Sequence, residues 1–112
     1  MEYDEKASCY RNVVNDAGEV VKGKKVLYTS LNGNMYSFLG IDGALAFRFP
    51  GDEISGLLES LNTEQPISYG TVMKDYVTIP NEVIATNHLR ELFLTCLDHA
   101  RQLKPKPTKK RA

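Results

Sequence analysis

Two glycine-containing turns within Lys24–Phe49 constrain the fold of this chain more than any other feature. Asn32-Gly33 and Asp42-Gly43 each separate short runs rich in strand-forming residues. Both dipeptides suit two-residue type I′ turns, because both central residues of that turn need positive φ. The segment is therefore predicted to form a three-stranded antiparallel meander, and the two turns fix its register.

That register predicts which side chains share a face of the meander, since side chains alternate along a strand. It places Leu27 opposite Phe38, and Phe38 opposite Phe47. Seven residues are predicted to face the core: Leu27, Thr29, Tyr36, Phe38, Leu45, Phe47 and Phe49. The outer face is predicted to carry Val26, Tyr28, Met35, Ser37, Leu39, Ile41, Ala44, Ala46 and Arg48.

Apolar residues at helical spacing predict three helices. The first covers Glu2–Ala17, and the second covers Asp52–Leu61. The last helix is expected to begin after an N-cap at Thr86 or Asn87 and to end at Leu103, before the Lys-Pro-Lys-Pro segment. Its apolar stripe consists of Leu89, Phe93, Cys96, Ala100 and Leu103.

Two further short strands are predicted at Ile67–Tyr69 and Asp75–Ile79. The element order is then α-β-β-β-α-β-β-α. This order indicates a two-layer α+β fold, in which helices cover a mainly antiparallel five-stranded sheet. Residues 1–103 are expected to form a single domain, and residues 104–112 a basic, proline-containing flexible tail.

Composition narrows the functional classes. A chain of 112 residues with 42% apolar and 25% charged residues is an ordinary globular domain. No apolar run approaches the roughly 20 residues of a membrane span, so a cytoplasmic protein without membrane contact is expected. Cys9 and Cys96 lack the spacing of metal ligands and are expected to be a reduced, buried pair. No cofactor is predicted.

The basic residues are unevenly distributed. The chain has 14 basic and 14 acidic residues, yet five basic ones lie in the last nine positions: Lys104, Lys106, Lys109, Lys110 and Arg111. The acidic remainder disfavours a broad nucleic-acid-binding face. The tail itself has two interpretations: weak nucleic-acid binding through phosphates, or a solubilising terminus.

Four segments resemble the TfoX/Sxy N-terminal-domain family, and they occur in the same order as in that family. They are Asn32–Tyr36, Ala46–Phe49, Tyr69–Val77 and Leu103–Lys110. The resemblance implies a two-layer α+β fold and a link to the regulation of competence genes. The chain is expected to be a stand-alone member that lacks the helical C-terminal domain of the full-length regulators, and the family supplies no catalytic residues.

The sequence offers few candidates for catalysis. His88 and His99 are eleven residues apart on the last helix, about 16 Å along its axis, so they cannot share a metal ion. Cys96 and His99 have the spacing of a nucleophile and its base. Cys96 nevertheless lies on the apolar stripe, where a thiol usually packs as an inert residue. A non-enzymatic function is therefore expected.

Two binding surfaces are predicted. The first is the outer face of the meander, a candidate site for a protein partner or a second copy: Val26, Tyr28, Met35, Leu39, Ile41, Ala46 and Arg48. The alternative is that the N-terminal helix or the tail covers this face. The second is a bend that offers a cleft for a small ligand, or the site of a weak enzyme: Tyr69, Met73, Lys74 and Tyr76. The alternative there is that both tyrosines pack in the sheet and Lys74 is solvated.

Overall fold

A computed structural model describes residues 1–105 of the chain. Within this range the chain forms four helices and six strands, in the order α1 (Tyr3–Asp16), β1 (Leu27–Leu31), β2 (Asn34–Leu39), β3 (Leu45–Arg48), α2 (Gly51–Leu61), β4 (Ile67–Ser68), β5 (Thr71–Val72), β6 (Tyr76–Thr78), α3 (Asn81–Ile84) and α4 (Asn87–Gln102). The N-cap of α4 is Thr86, as predicted, and its hydroxyl accepts a hydrogen bond from the His88 N–H at 3.2 Å.

The strands form two separate antiparallel sheets. The main sheet has the order β1-β2-β3-β6, and β4 pairs only with β5. The α+β class and the antiparallel pairing are confirmed, but the main sheet has four strands instead of the predicted five. The reason is local, because Tyr69 and Gly70 both adopt positive φ, at 52° and 77°. The chain therefore reverses after Ser68 and pairs Ile67 with Val72, before it reaches β6.

Helices cover one face of the main sheet. α4 packs across β2 and β3, and α1 packs beside α4. The ring of Phe93 on α4 lies 5.5 Å from that of Phe47 and 5.8 Å from that of Tyr36, centroid to centroid. Tyr10 on α1 lies 6.4 Å from Phe47, and all four rings are fully buried. The apolar stripes predicted for the first and last helices thus form the core with the sheet.

The first turn of the meander has the predicted geometry. Asn32 and Gly33 have φ of 53° and 83°, and Leu31 pairs with Asn34. The predicted register holds for only the first two residue pairs after this turn. A β-bulge lets β2 contribute one extra residue, Tyr36, which places Ser37 opposite Thr29.

The second turn is not the predicted two-residue turn. Only Gly43 has positive φ, at 89°, and its N–H donates to the Gly40 carbonyl at 2.9 Å. The Gly40 N–H in turn donates to the Ala44 carbonyl at 2.9 Å, which makes a three-residue loop. The Asp42 carboxylate accepts a hydrogen bond from the Ala44 N–H at 3.0 Å. This bond stabilises a backbone conformation of Asp42 other than the left-handed one that a type I′ turn requires.

The bulge and the longer turn have opposite consequences for β2 and β3. Each shifts the register by one residue. By β3 both shifts have occurred and they cancel, so Phe47 faces the core as predicted. In β2 beyond the bulge the prediction is wrong. Phe38 faces outward opposite Tyr28 and Ala46, whereas Leu39 and Ser37 lie in the core with no exposed surface.

Candidate functional site

The main candidate site is an apolar cleft of about 430 Å³ between the outer face of the main sheet and the β4–β5 hairpin. One wall is formed by the meander, through Val26, Met35, Phe38, Ala44 and the turn residues 40–42. The other wall is formed by residues 66–69 and Met73. We call this space the apolar cleft. Its size lies within the range of about 300–1,000 Å³ that is typical of ligand pockets.

Phe38 lies in the sheet wall because of the β-bulge. Its ring packs against that of Tyr76, with 5.4 Å between the centroids. The Tyr76 hydroxyl donates a hydrogen bond to the Met35 carbonyl at 2.7 Å, which connects β6 to β2 across β3. Burial raises the pKa of Tyr76 to about 12, so its hydroxyl can still donate this bond at a pH at which an ordinary tyrosine, with a pKa of about 10, has ionised.

The hairpin wall carries an unusual residue at its tip. Tyr69 occupies the first central position of a type I′ turn, where Asn, Asp and Gly are preferred. A bulky residue at φ 52° costs roughly 1–3 kcal/mol, and strain of this kind is often found at functional sites. The Tyr69 side chain is also 103% exposed, so no packing within the domain offsets this strain.

The hairpin is held at its base and not at its tip. The Met73 N–H donates to the Pro66 carbonyl at 2.9 Å, and the Gln65 side chain donates to the carbonyls of Met73 and Lys74. Its strands are only two residues long, and a hairpin of that size is marginal in water by itself. The exposed apolar side chains of Ile67 and Val72 flank Tyr69.

Polar groups are few in the apolar cleft. The one charged side chain in its lining is Asp42, whose carboxylate is engaged by the Ala44 N–H. Arg48 lies on the same sheet face, paired with Tyr76 across β3 and β6, but does not line the cleft. One of its guanidinium nitrogens lies 3.5 Å from an Asp75 carboxylate oxygen, and its Nε is buried without a hydrogen-bond partner.

The structure places the seven residues of the predicted partner face differently. Val26, Met35 and Ile41 line the apolar cleft, whereas Leu39 lies in the core and was assigned to the wrong face. Three others have outer-face register but do not line the cleft: Tyr28, Ala46 and Arg48. Ala46 among them is fully buried.

The predicted ligand bend divides in a similar way. Tyr69 and Met73 line the apolar cleft. Tyr76 is buried behind Phe38, and the side chain of Lys74 is exposed outside the cleft. The two surfaces predicted separately therefore meet in one cleft, since the β4–β5 hairpin faces the meander.

Seven of the twelve lining residues belong to neither predicted surface, and Phe38 and Ile67 are the large apolar ones among them. Phe38 was assigned to the core, and nothing in the residue pattern reveals the one-residue bulge that turns it outward. Ile67 was assigned to a strand without a site. The Tyr69-Gly70 dipeptide was the available signal for the hairpin, because a glycine between two short segments that can form strands indicates a tight turn.

Two of the candidate catalytic residues, Cys96 and His88, lie in different environments. Cys96 is fully buried and its thiol donates to the Phe93 carbonyl at 3.2 Å. Burial raises the pKa of Cys96 well above its usual value, which disfavours the reactive thiolate. The His88 ring lies 3.1 Å from the exposed Glu91 carboxylate. Across residues 1–105, no cluster of three or more His, Cys, Asp or Glu side chains is arranged to hold a metal ion.

The basic tail falls largely outside the described residues. Lys104 is described, and its carbonyl accepts a hydrogen bond from the Asn34 side chain at 2.9 Å. The predictions for Lys106, Lys109, Lys110 and Arg111 concern residues outside the described range. Within that range, no helix is both long enough and apolar enough to cross a membrane.

Comparison with protein-family models, curated proteins and solved structures finds no match to this chain. We therefore infer the function of this chain from the geometry of the apolar cleft.

Proposed function

We propose that this chain is a non-enzymatic protein-interaction domain, which binds an apolar segment of a protein partner in the apolar cleft. The observation that carries the proposal is the fully exposed Tyr69 at the lip of this cleft. Tyrosine is enriched among the residues that dominate binding energy at protein interfaces. A strained, unpacked tyrosine beside an apolar concavity is best explained by contact with another molecule.

The surrounding surface supports the same function. Three other apolar side chains in the lining are exposed, Val26, Ile41 and Ile67, and the exposed Val72 pairs with Ile67 in the hairpin. Contiguous apolar patches larger than a few hundred Å² usually mark interaction sites. The methionines Met35 and Met73 in the lining add flexible, polarisable contacts that adapt to different partner shapes.

The role that we propose is regulatory or that of an adaptor. The resemblance to TfoX/Sxy N-terminal domains supports this role, since the founding members of that family regulate competence genes. Cys9 and Cys96 are both free, which supports a cytoplasmic location, because that compartment keeps thiols reduced.

Selection from a random peptide library tests protein binding directly. Peptides selected on the immobilised wild-type chain should contain one or two large apolar residues and lose binding to the Ile41→Asp variant. Ile41 is 72% exposed, so a carboxylate there places a charge in the lining of the apolar cleft without unfolding the domain. Leu94→Asp is the matched control, because Leu94 is 42% exposed on α4 and does not line the cleft. Selection of no peptide, or equal loss with both variants, would rule out the proposal.

A second candidate function is the binding of a small apolar ligand. The observation that favours it is the cleft volume of about 430 Å³, which is sufficient for a drug-sized molecule. A ligand that binds only the folded state raises the melting temperature. A thermal-shift screen of uncharged apolar metabolites should then find compounds that stabilise the wild type and Leu94→Asp but not Ile41→Asp. The absence of any such compound would exclude this candidate.

A further inference from the structure

We infer that the partner bound in the apolar cleft is a second copy of this chain, and that two copies exchange Tyr69 side chains, each inserting into the cleft of the other. This inference rests on the proposed function, because it requires that the cleft be a protein-binding surface. It adds the identity of the partner and the residue that the partner contributes.

The hairpin tip supplies the inserted group. Tyr69 and Gly70 hold positive φ at the two central positions of the turn, and the Tyr69 side chain at this tip is fully exposed. Asparagine at this position would relieve the backbone strain at no cost to the fold. A tyrosine that neither favours the turn nor packs within the domain is suited to make its contacts on another molecule.

The same surface supplies the receiving site. Tyr69 stands at the rim of the apolar cleft, beside the cavity formed by Phe38, Met35 and Met73. A two-fold symmetric dimer uses one patch on both copies, and that patch must be complementary to itself. A patch that combines a protruding aromatic ring with an apolar cavity fulfils this condition, since each copy offers both halves of the contact.

Charge favours this patch as the contact between copies. The full chain has 14 basic and 14 acidic side chains and therefore no net charge, so long-range electrostatics neither draws two copies together nor keeps them apart. The lining of the apolar cleft carries one charge, Asp42, which is engaged by its own backbone at Ala44. Two copies can therefore approach through this patch with little like-charge repulsion.

The exposed apolar surface beside Tyr69 adds to this contact. Val26, Ile41 and Ile67 line the cleft and are exposed, and the exposed Val72 pairs with Ile67. One aromatic side chain buries about 150–250 Å², against about 800 Å² on each partner in a standard interface. The dimer that we infer is therefore a small and weak one.

Sedimentation velocity of the full chain, from low-micromolar to submillimolar concentration, measures the self-association. The wild type should shift from monomer towards dimer, and Tyr69→Asn should raise the dissociation constant at least about tenfold. The melting temperature of Tyr69→Asn at low concentration should equal or exceed that of the wild type, because asparagine suits the turn. The control is Val20→Asn, at a position that is 68% exposed and does not line the cleft, and it should leave the dissociation constant unchanged.

A fluorescence measurement tests whether the side chain at position 69 is inserted. The chain contains no tryptophan, so Tyr69→Trp introduces a single indole at the hairpin tip. Its emission should move to shorter wavelength as the concentration of the variant rises. The same shift should occur when the variant is kept at low concentration and an excess of wild type, which has no tryptophan, is added. Excess Ile41→Asp should cause a smaller shift, since its cleft carries a second carboxylate besides that of Asp42.

Three results would overturn the inference: a wild-type chain that stays monomeric, a Tyr69→Asn variant that dimerises as tightly as the wild type, or an indole emission that is independent of concentration. The peptide selection separates this failure from failure of the proposed function. If peptides bind the cleft of a monomeric chain, the proposed function stands and the second copy is excluded as the partner.

Discussion

At the scale of single residues, the core contains a buried chain of hydroxyl groups. The Tyr10 hydroxyl lies 2.6 Å from the Ser37 oxygen, which is also hydrogen-bonded to the Thr29 hydroxyl. All three residues are almost fully buried, and they join α1 to β1 and β2. Because buried polar groups need partners, Ser37 is the central member of this network.

Replacement of Ser37 by alanine should therefore lower the free energy of unfolding by about 1–3 kcal/mol, because the hydroxyls of Tyr10 and Thr29 lose their shared partner. Ser30→Ala is a matched control in β1, since Ser30 makes only an exposed contact with Lys22 and should change stability by less than about 0.5 kcal/mol. Urea unfolding measures both. Equal effects of the two substitutions would contradict this role for Ser37.

The buried tyrosines predict alkaline instability. Burial raises the pKa of Tyr36 and of Tyr76 to about 12, and raises that of Tyr10 well above its usual value. Their stabilising contribution is complete below pH 10, where tyrosines of the unfolded chain are still protonated. Between pH 10 and 12 the unfolded chain loses protons that the folded chain retains. The free energy of unfolding should fall there by about 1.4 kcal/mol per pH unit for each of these tyrosines.

Urea unfolding at a series of pH values, together with phenolate absorbance, measures this effect. Tyr10, Tyr36 and Tyr76 should ionise only near or after unfolding. Ionisation of these three near pH 10 in the folded protein would show that their hydroxyls are not buried.

At the scale of elements, the sequence predicts helices and turns better than strand register. Asn32-Gly33 forms the predicted turn, because both residues tolerate the required backbone. The bulge at Tyr36 could not be predicted, since it is stabilised by tertiary packing of Tyr36 against Phe93. For the candidate site, this one residue decides that Phe38 lines the cleft while Leu39 fills the core.

Substitutions at Leu39, the last residue of β2, and at Ile41, in the second turn, test this register. Leu39→Ala should reduce the free energy of unfolding by about 2–5 kcal/mol, because the side chain is fully buried in the core. Ile41→Ala, two residues further along, should change it by less than about 0.5 kcal/mol, because that side chain is exposed. Thermal or urea unfolding provides the comparison. A small effect of Leu39→Ala would favour the register without a bulge.

Two glycines provide a second test, with opposite signs. Gly33 has φ 83° in the first turn, so Gly33→Ala should destabilise the protein by about 1–2 kcal/mol. Gly56 lies inside α2, and a Cβ there would meet no atom within 4 Å. Gly56→Ala should stabilise the protein by about 0.5–1 kcal/mol, because glycine loses more backbone entropy in a helix than alanine does. Stabilisation by both substitutions would contradict the type I′ turn.

At the scale of the whole molecule, the two faces of the main sheet are covered differently. Helices α1 and α4 and the sheet form the core on one side. On the other side the short β4–β5 hairpin covers the sheet only partly, which leaves the apolar cleft and the exposed Tyr69. The sequence predicted an apolar outer face, but it could not predict that the hairpin would lie beside it, since that placement depends on long-range packing.

The three methionines allow the central claim to be measured in one experiment. Met35 and Met73 line the apolar cleft, whereas Met1 lies outside it. In a dilution series of the chain labelled with ¹³C at the methionine methyl groups, the NMR signals of Met35 and Met73 should shift with concentration while that of Met1 stays fixed. If Met35 and Met73 show no shift at concentrations at which the chain dimerises, the cleft is not the contact surface.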